Sequence, residues 1–132
     1  ALNRAKSYMS ERQQFGEPLS NFQALQFKLA DMATELVAAR QMIRMAASRV
    51  DAGHSEATVY AAMAKQFATD VGFKVCNEAL QIHGGYGYMQ EYPLERHIRD
   101  TRVHQILEGT NEIMRVITAR RLLALADIEA IQ

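Results

Sequence analysis

From Phe22 the chain repeats an apolar residue at alternating steps of three and four, through Leu25, Leu29, Met32, Leu36, Ala39, Ile43 and Ala46 to Val50. A period near 3.5 held over about four heptads is that of an α-helix with one buried seam, and no strand can present it. Pro18, followed by Ser20 with Gln23 three residues later, marks the start as an expected capping box, and Gly53 marks the end, suited to the left-handed position after a helix. Residues 21–52 then form a rod of roughly 48 Å. A rod of that length gains its stability from partners packed along the seam.

The partners are legible in the remainder. Ser55 is placed to cap a second long helix in which Val59, Met63, Phe67, Val71 and Val75 recur among many Ala and few charges, running to about His83. Because it is apolar most of the way round, it is expected to be central, covered by helices of this chain or of other subunits, and self-association is expected from it. His83-Gly84-Gly85-Tyr86-Gly87-Tyr88 breaks it, the three Gly allowing close backbone approach. Pro93 permits a short helix from about Leu94 to Ile106 before Glu108-Gly109 interrupts. Thr110 or Asn111 then caps a last helix whose apolar face is Ile113, Val116, Ile117 and Leu123. No alternating run is left for a sheet, so the reading is all-α, an up-and-down four-helix bundle without strand pairing. The first dozen residues, with Leu2, Ala5, Tyr8 and Met9 at helical spacing, read as starting inside a helix. Residues 1–132 are accordingly read as one domain of a longer chain.

Composition excludes several classes. Fifteen Lys and Arg balance fifteen Asp and Glu, so no net field recruits nucleic acid or an anionic membrane. No apolar stretch is long enough for a membrane span. The lone Cys76 cannot form an internal disulfide; a reducing compartment is expected, with Cys76 as a small buried hydrophobe. Arg96, Arg99 and Arg102 lie among Glu95 and Asp100, and His97 and His104 lack further ligands, so neither an RNA-binding face nor a metal site is read there.

Two places bear on chemistry. Glu108 stands immediately before a Gly and a helix start. From spacing alone such a carboxylate serves the helix N-terminus, whereas in an apolar pocket its pKa would be raised into the range of a general base. The Gly at 84–87 could expose backbone N–H groups to an anion, but they do not match a nucleotide fingerprint, and alone they read as a helix terminator.

Taken together, Arg12-Gln13-Gln14-Phe15-Gly16, Phe22-Gln23, Gln81-Ile82-His83-Gly84-Gly85-Tyr86-Gly87, Arg99-Asp100 and Leu107-Glu108-Gly109-Thr110-Asn111-Glu112-Ile113 resemble the carboxy-terminal helical domain of the acyl-CoA dehydrogenases, in wording its short-chain and branched-chain members. The resemblance covers about nine-tenths of the chain. It implies an FAD enzyme that removes two hydrogens across the α and β carbons of an acyl-CoA to give the trans-2-enoyl-CoA, with Glu108 as the base. It further implies that Arg12 serves the FAD diphosphate, that Phe15 and Gln23 lie near the flavin and adenine parts, and that Gln81, Ile82, His83, Gly84 and Gly85 line the cofactor, all toward a neighbouring subunit's FAD. Thr110, Asn111 and Glu112 would approach the FAD beside Glu108, and Gly109 the acyl chain; Glu112 stands where several relatives have Gln. A homotetramer, an electron-transfer flavoprotein as acceptor, and a bacterial cytoplasm or mitochondrial matrix are implied with it. The family's amino-terminal helical and middle β domains lie outside this chain. A helical oligomerisation module without chemistry explains the heptads equally well, but not the joint presence of Arg12, Gln23, Gln81 and Glu108. An acyl-CoA oxidase, passing electrons to oxygen, stays open.

Overall fold

The structure is a computed structural model describing residues 1–127 and 131. In chain order it comprises α1 (Leu2–Glu11), a hairpin of β1 (Gln13–Gln14) and β2 (Glu17–Pro18), a 3-10 turn (Leu19–Asn21), α2 (Gln23–Asp51), α3 (Ala57–His83), a second 3-10 turn (Gly84–Tyr88), α4 (Leu94–His104) and α5 (Asn111–Ala124).

The heptad forms one unbroken helix, α2, and its end shows how the chain reverses. Gly53, at φ 62°, donates to the Val50 carbonyl and His54 to the Arg49 carbonyl, the paired bonds of a Schellman turn. The helix starts differently from expectation. Leu19–Asn21 winds into a 3-10 turn closed by the Phe22 N–H on the Leu19 carbonyl, so Phe22 becomes the N-cap, without a side-chain cap, and the Ser20–Gln23 box does not form. Ser20 contributes its carbonyl to the Gln26 amide at 2.8 Å instead. Likewise Glu56 rather than Ser55 precedes α3, its N–H bonded to His54 Nδ1 at 3.1 Å.

Lys28 pairs with Glu78 and Lys74 with Glu35, so α2 and α3 run antiparallel. One rail of the heptad, Leu25, Met32, Ala39 and Ala46, packs inward. The other turns progressively outward, with Leu29 and Leu36 half-buried, Ile43 50 % exposed and Val50 56 % exposed. A straight helix of 3.6 residues per turn drifts about 20° per heptad away from a strict seven-residue repeat, which accounts for this slow rotation.

α3 packs against α1, α2, α4 and α5. The main core joins Ala5 and Met9 of α1, Met32 and Ala39 of α2, Val71, Val75, Ala79 and Ile82 of α3, and Leu94 of α4. The covering expected for α3 is thus supplied within the chain. Half-exposed or more exposed apolar side chains lie elsewhere, on α2 and on the α4–α5 segment, where Ile113 is 50 % and Leu123 87 % exposed rather than forming a packed face. Cys76 is buried, and burial pushes its thiol pKa up, as for a small apolar side chain. α4 lies along the carboxy-terminal half of α3, through Gln105 to Asp70, and α5 along the amino-terminal half, through Arg121 to Glu56. These two helices therefore make one interrupted rod, and the all-α bundle has its fourth member broken at residues 105–110.

The absence of strand pairing is corrected. Gln13 pairs with Pro18 and Gln14 with Glu17 across a two-residue turn, Phe15-Gly16, whose φ angles are 55° and 83°. Both values are positive, the hand that a tight hairpin needs. Strands of two residues carry no alternation, so the pattern could not show them.

The last turn of α5 is held to the start of α3 by Glu56, 6 % exposed, which accepts from Arg121 Nε at 2.6 Å and from Arg121 Nη2. This bidentate bond, first among the causes, holds the Glu56 carboxyl below its ordinary pKa. The unfolded chain binds that proton more readily, so the clamp stabilises fully above the ordinary glutamate value of about 4.3, and its contribution is lost as pH falls through the lowered value. In urea unfolding from neutral to acid pH, Glu56→Gln should lower the midpoint at pH 7, and the difference from wild type should shrink toward acid.

Candidate functional site

The expected site residues gather in two places. The first is an open cleft of about 600 Å³ between the end of α1, the start of α2 and the carboxy-terminal end of α3. Arg12, Gln81, Ile82, His83, Gly84 and Gly85 all line it, with Leu19 and Leu25 supplying apolar wall. Arg12 ends α1 and its guanidinium lies 5.6 Å from the centre of the Tyr86 ring, a cation–π contact that steadies it. His83 is 4 % exposed; it donates Nδ1–H to the Ala79 carbonyl at 2.8 Å and stacks on Tyr8 at 4.1 Å. Burial lowers its pKa, so it is neutral at pH 7 and the cleft's positive charge comes from Arg12 and Lys28.

The glycines divide by role. Gly84 ends α3 at φ 58° and ψ −136°, a combination only Gly adopts without strain. A Cβ on Gly87 would lie 2.7 Å from the Leu80 carbonyl oxygen, so the turn is packed there against its own helix. Gly85 has neither constraint: a Cβ on it would meet nothing within 4 Å, and its bareness serves the open cleft. A guanidinium, bare Gly backbone and flat apolar walls suit a group combining a diphosphate with aromatic rings. Phe15 and Gln23 are not in this lining. Phe15 sits at the hairpin tip, 93 % exposed, edge-on to Phe22 at 6.2 Å, and Gln23 is exposed in the first turn of α2.

The second place is the break between α4 and α5. Glu108 takes φ 55° and Gly109 φ 90°. Thr110 caps α5 by accepting from the Ile113 N–H, the role foreseen for it. Asn111 is 3 % exposed and faces inward: its Oδ1 accepts from Lys65 Nζ at 2.8 Å, and its Nδ2 donates to Asp70 Oδ1 at 2.7 Å and to Thr69 Oγ1 at 2.9 Å. Its side chain within this chain therefore ties the turn to α3. Glu112 is exposed, its carboxyl held below the ordinary range by its own backbone N–H and by Thr110. Glu108 is exposed too, so the apolar surroundings that would raise its pKa are not formed among the described residues, and its near neighbours Ile106 and Leu107 are 51 % and 46 % exposed.

Among the described residues, Phe15 and Glu108 alone are non-Gly residues at positive φ. Such a conformation costs about 1–2 kcal/mol and persists where the surroundings impose it. Strain therefore falls on two of the residues singled out for chemistry. Lys65, Asp70 and Tyr86 were not foreseen; the one signal for Lys65 and Asp70 was the presence of charges within an otherwise apolar helix. No group of three or more His, Cys, Asp or Glu among the described residues could hold a metal, and no described helix is long and apolar enough to cross a membrane.

The cleft hangs on Gln81–Gly85 and the turn on Lys65–Asp70, so roughly 20 Å of α3 separates them. Each is open on the side facing away from the bundle. That arrangement defines a class: an all-α domain that presents two separate open surfaces from one central helix. The chain belongs to the acyl-CoA dehydrogenase family, matching over residues 1–123 the family described as acyl-CoA dehydrogenase, C-terminal domain. It is 56 % identical over 119 residues to the mitochondrial isobutyryl-CoA dehydrogenase of Bos taurus, covering 90 % of this chain and 29 % of that protein. The solved butyryl-CoA dehydrogenase of Megasphaera elsdenii superposes with a TM-score of 0.89 at 48 % identity, over 92 % of this chain and 32 % of that one. An FAD complex of PigA superposes with a TM-score of 0.87 at 32 % identity, over 92 % and 31 %. The chain thus spans about a third of the length of these relatives.

Gly109 and Gly85 make a matched test of the two kinds of glycine. Gly109→Ala would place a Cβ 2.6 Å from Met114 Cε at φ 90°, and should cost about 1–2 kcal/mol in thermal or urea unfolding. Gly85→Ala, with open space around it, should leave stability unchanged and act only on what the cleft holds.

Proposed function

We propose that this chain is the carboxy-terminal domain of an FAD-dependent acyl-CoA dehydrogenase that converts an acyl-CoA thioester to the trans-2-enoyl-CoA, with Glu108 as the base that removes the α proton. The observation that carries this reading is the turn itself. Glu108 is exposed, without a hydrogen-bond or ion-pair partner among the described residues, and held in a left-handed conformation by a turn bonded to α3 on both sides. A carboxylate that merely capped a helix would need neither the strain nor the freedom.

The α proton of a thioester is weakly acidic, and its removal builds negative charge on the carbonyl oxygen, which positioned donors must stabilise. The Glu108 N–H makes no backbone hydrogen bond among the described residues and is available as one such donor. Glu108 would hold the abstracted proton on its carboxyl, and Gly109 would lie against the acyl chain by its backbone, Met114 Cε occupying the space a Cβ there would need. FAD, when bound, supplies the acceptor for the hydride from the β carbon. In this reading Thr110, Asn111 and Glu112 form the edge of the turn toward the FAD beside Glu108. Arg12, Phe15, Gln23 and Gln81–Gly85 reach the FAD of a neighbouring subunit in a homotetramer. The separation of cleft and turn along α3 supports one domain serving two sites, and the exposed apolar side chains of α2, α4 and α5 support burial against other domains or subunits. Reoxidation falls to an electron-transfer flavoprotein, in a bacterial cytoplasm or a mitochondrial matrix.

Two substitutions in the intact enzyme test this. Glu108→Gln keeps size and polarity but cannot accept the proton. Anaerobic stopped-flow reduction of the flavin by butyryl-CoA or isobutyryl-CoA should fall by about 100- to 10,000-fold, with acyl-CoA binding largely retained. Wild-type reduction would remove Glu108 from the mechanism. Arg12→Ala removes charge-assisted hydrogen bonds to a diphosphate and should weaken FAD retention by about 10- to 100-fold without changing helix content, read by flavin fluorescence on dilution and by circular dichroism. Full FAD occupancy would leave Arg12 a surface charge.

A further inference from the structure

The turn that carries Glu108 is held from α3 by two charged side chains. Lys65 Nζ donates both to the Gly109 carbonyl and to Asn111 Oδ1, each at 2.8 Å. One ammonium therefore fixes the Gly109–Thr110 peptide, one residue past Glu108, and the first residue of α5. Asp70, about one and a half turns further along α3, accepts at Oδ1 from Gln105 Nε2 at 2.6 Å and from Asn111 Nδ2 at 2.7 Å, and at Oδ2 from Arg115 Nη2 at 3.1 Å. It thereby gathers the residue after α4, the start of α5 and the next turn of α5 onto one carboxylate. The Asn111 N–H closes the ring on the Gln105 carbonyl at 3.0 Å. Glu108 lies inside this ring, three residues past one anchor and one before the other, and it is the member whose own side chain is left unbonded.

We propose that Lys65 and Asp70 are positioning residues for Glu108: they impose the left-handed turn that aims its carboxylate, without touching substrate or cofactor. The proposal rests on the reading of Glu108 as the base. A non-Gly residue leaves the left-handed region when it is free to, and among the described residues the turn is bonded to α3 through Lys65, Asp70, Thr69 and the Gln66 carbonyl, which meet at Gly109 and Asn111 and, for Asp70, also at Gln105 and Arg115. Without Lys65 the Gly109 carbonyl loses its side-chain donor, and the Gly109–Thr110 peptide that holds the turn one residue past Glu108 is free to rotate. The resulting displacement of the carboxylate acts on the rate, because a catalytic group misplaced by about 1 Å can lose about 100-fold. Acyl-CoA binding should change little, since in this proposal Lys65 and Asp70 touch neither substrate nor cofactor.

The experiment uses the intact FAD-loaded enzyme and butyryl-CoA or isobutyryl-CoA. Lys65→Met keeps the apolar stem and removes the donors. The expected result is a fall of about 10- to 100-fold in anaerobic flavin reduction, with the acyl-CoA dissociation constant within about twofold of wild type and partial recovery in Lys65→Arg. In the Glu108→Gln background, Lys65→Met should lose most of its effect, since the carboxylate it positions is gone and only the backbone N–H of residue 108 is left to displace. An additive double variant, or an unchanged rate in Lys65→Met, overturns the proposal while leaving Glu108 as the base. An unchanged rate in Glu108→Gln alone is the separate failure of the underlying reading. Should Lys65→Met not fold, Asp70→Asn, which keeps shape and one acceptor, is expected to fold and to slow reduction at least about threefold with the same binding constant and the same non-additivity. A wild-type rate there overturns the proposal.

Discussion

Everything in this domain depends on the burial of α3. A helix apolar around most of its circumference is insoluble as a surface element, and here α1, α2, α4 and α5 each cover part of it. The seam of α2 answers one face of α3, the core contacts of α1 another, and the interrupted rod a third. Because every other helix is oriented by its packing on this one, α3 is also the ruler along which the cleft and the Glu108 turn are placed. The few charged residues of α3 sit at its margins, on Lys74 and Glu78 toward α2 and on Lys65 and Asp70 toward the break, and all four are engaged.

The two non-Gly residues at positive φ show how a small domain spends backbone strain. Phe15 is the first residue of a two-residue hairpin turn, a position that Asn or Gly would occupy more easily, and its ring is thrown outward as a result. Glu108 is held in a similar conformation, by bonds on either side rather than by strand pairing. In each case a large side chain is presented away from the bundle on a backbone that cannot relax, which suits contact with something the domain does not itself contain.

Much of this was legible beforehand, and the exceptions have physical causes. Helix existence was carried by periodicity, and the ends at Gly53, Gly84 and Thr110 by residues whose chemistry admits few alternatives. Starts at Ser20 and Ser55 were misplaced because an N-cap is only a hydroxyl in the right place, and a 3-10 turn or a preceding His moved that place by one or two residues. The hairpin was invisible because two-residue strands have no period. At the site, the cleft residues Arg12 and Gln81–Gly85 do converge, whereas Phe15 and Gln23 remain outside the lining. The inward face of Asn111 and the parts played by Lys65 and Asp70 come from pairings 35 to 46 residues apart, which no local pattern records. Glu108 is exposed in this chain, which spans about a third of the length of its relatives.

The Schellman turn at Gly53 has a further consequence for chain entropy. It joins α2 and α3 through a handful of residues, so bringing their seams together closes a short loop and freezes little beyond the helices themselves. The contacts that complete the domain close much longer ones: 65 residues separate Glu56 from Arg121, and 75 separate Tyr8 from His83. Since loop-closure entropy rises only logarithmically with length, the long closures are affordable once the helical pair exists as a template, but they have nothing to close onto before it does. The helical hairpin is therefore the unit of local order, and the strained turn bearing Glu108 rests on it through contacts 35 to 46 residues apart.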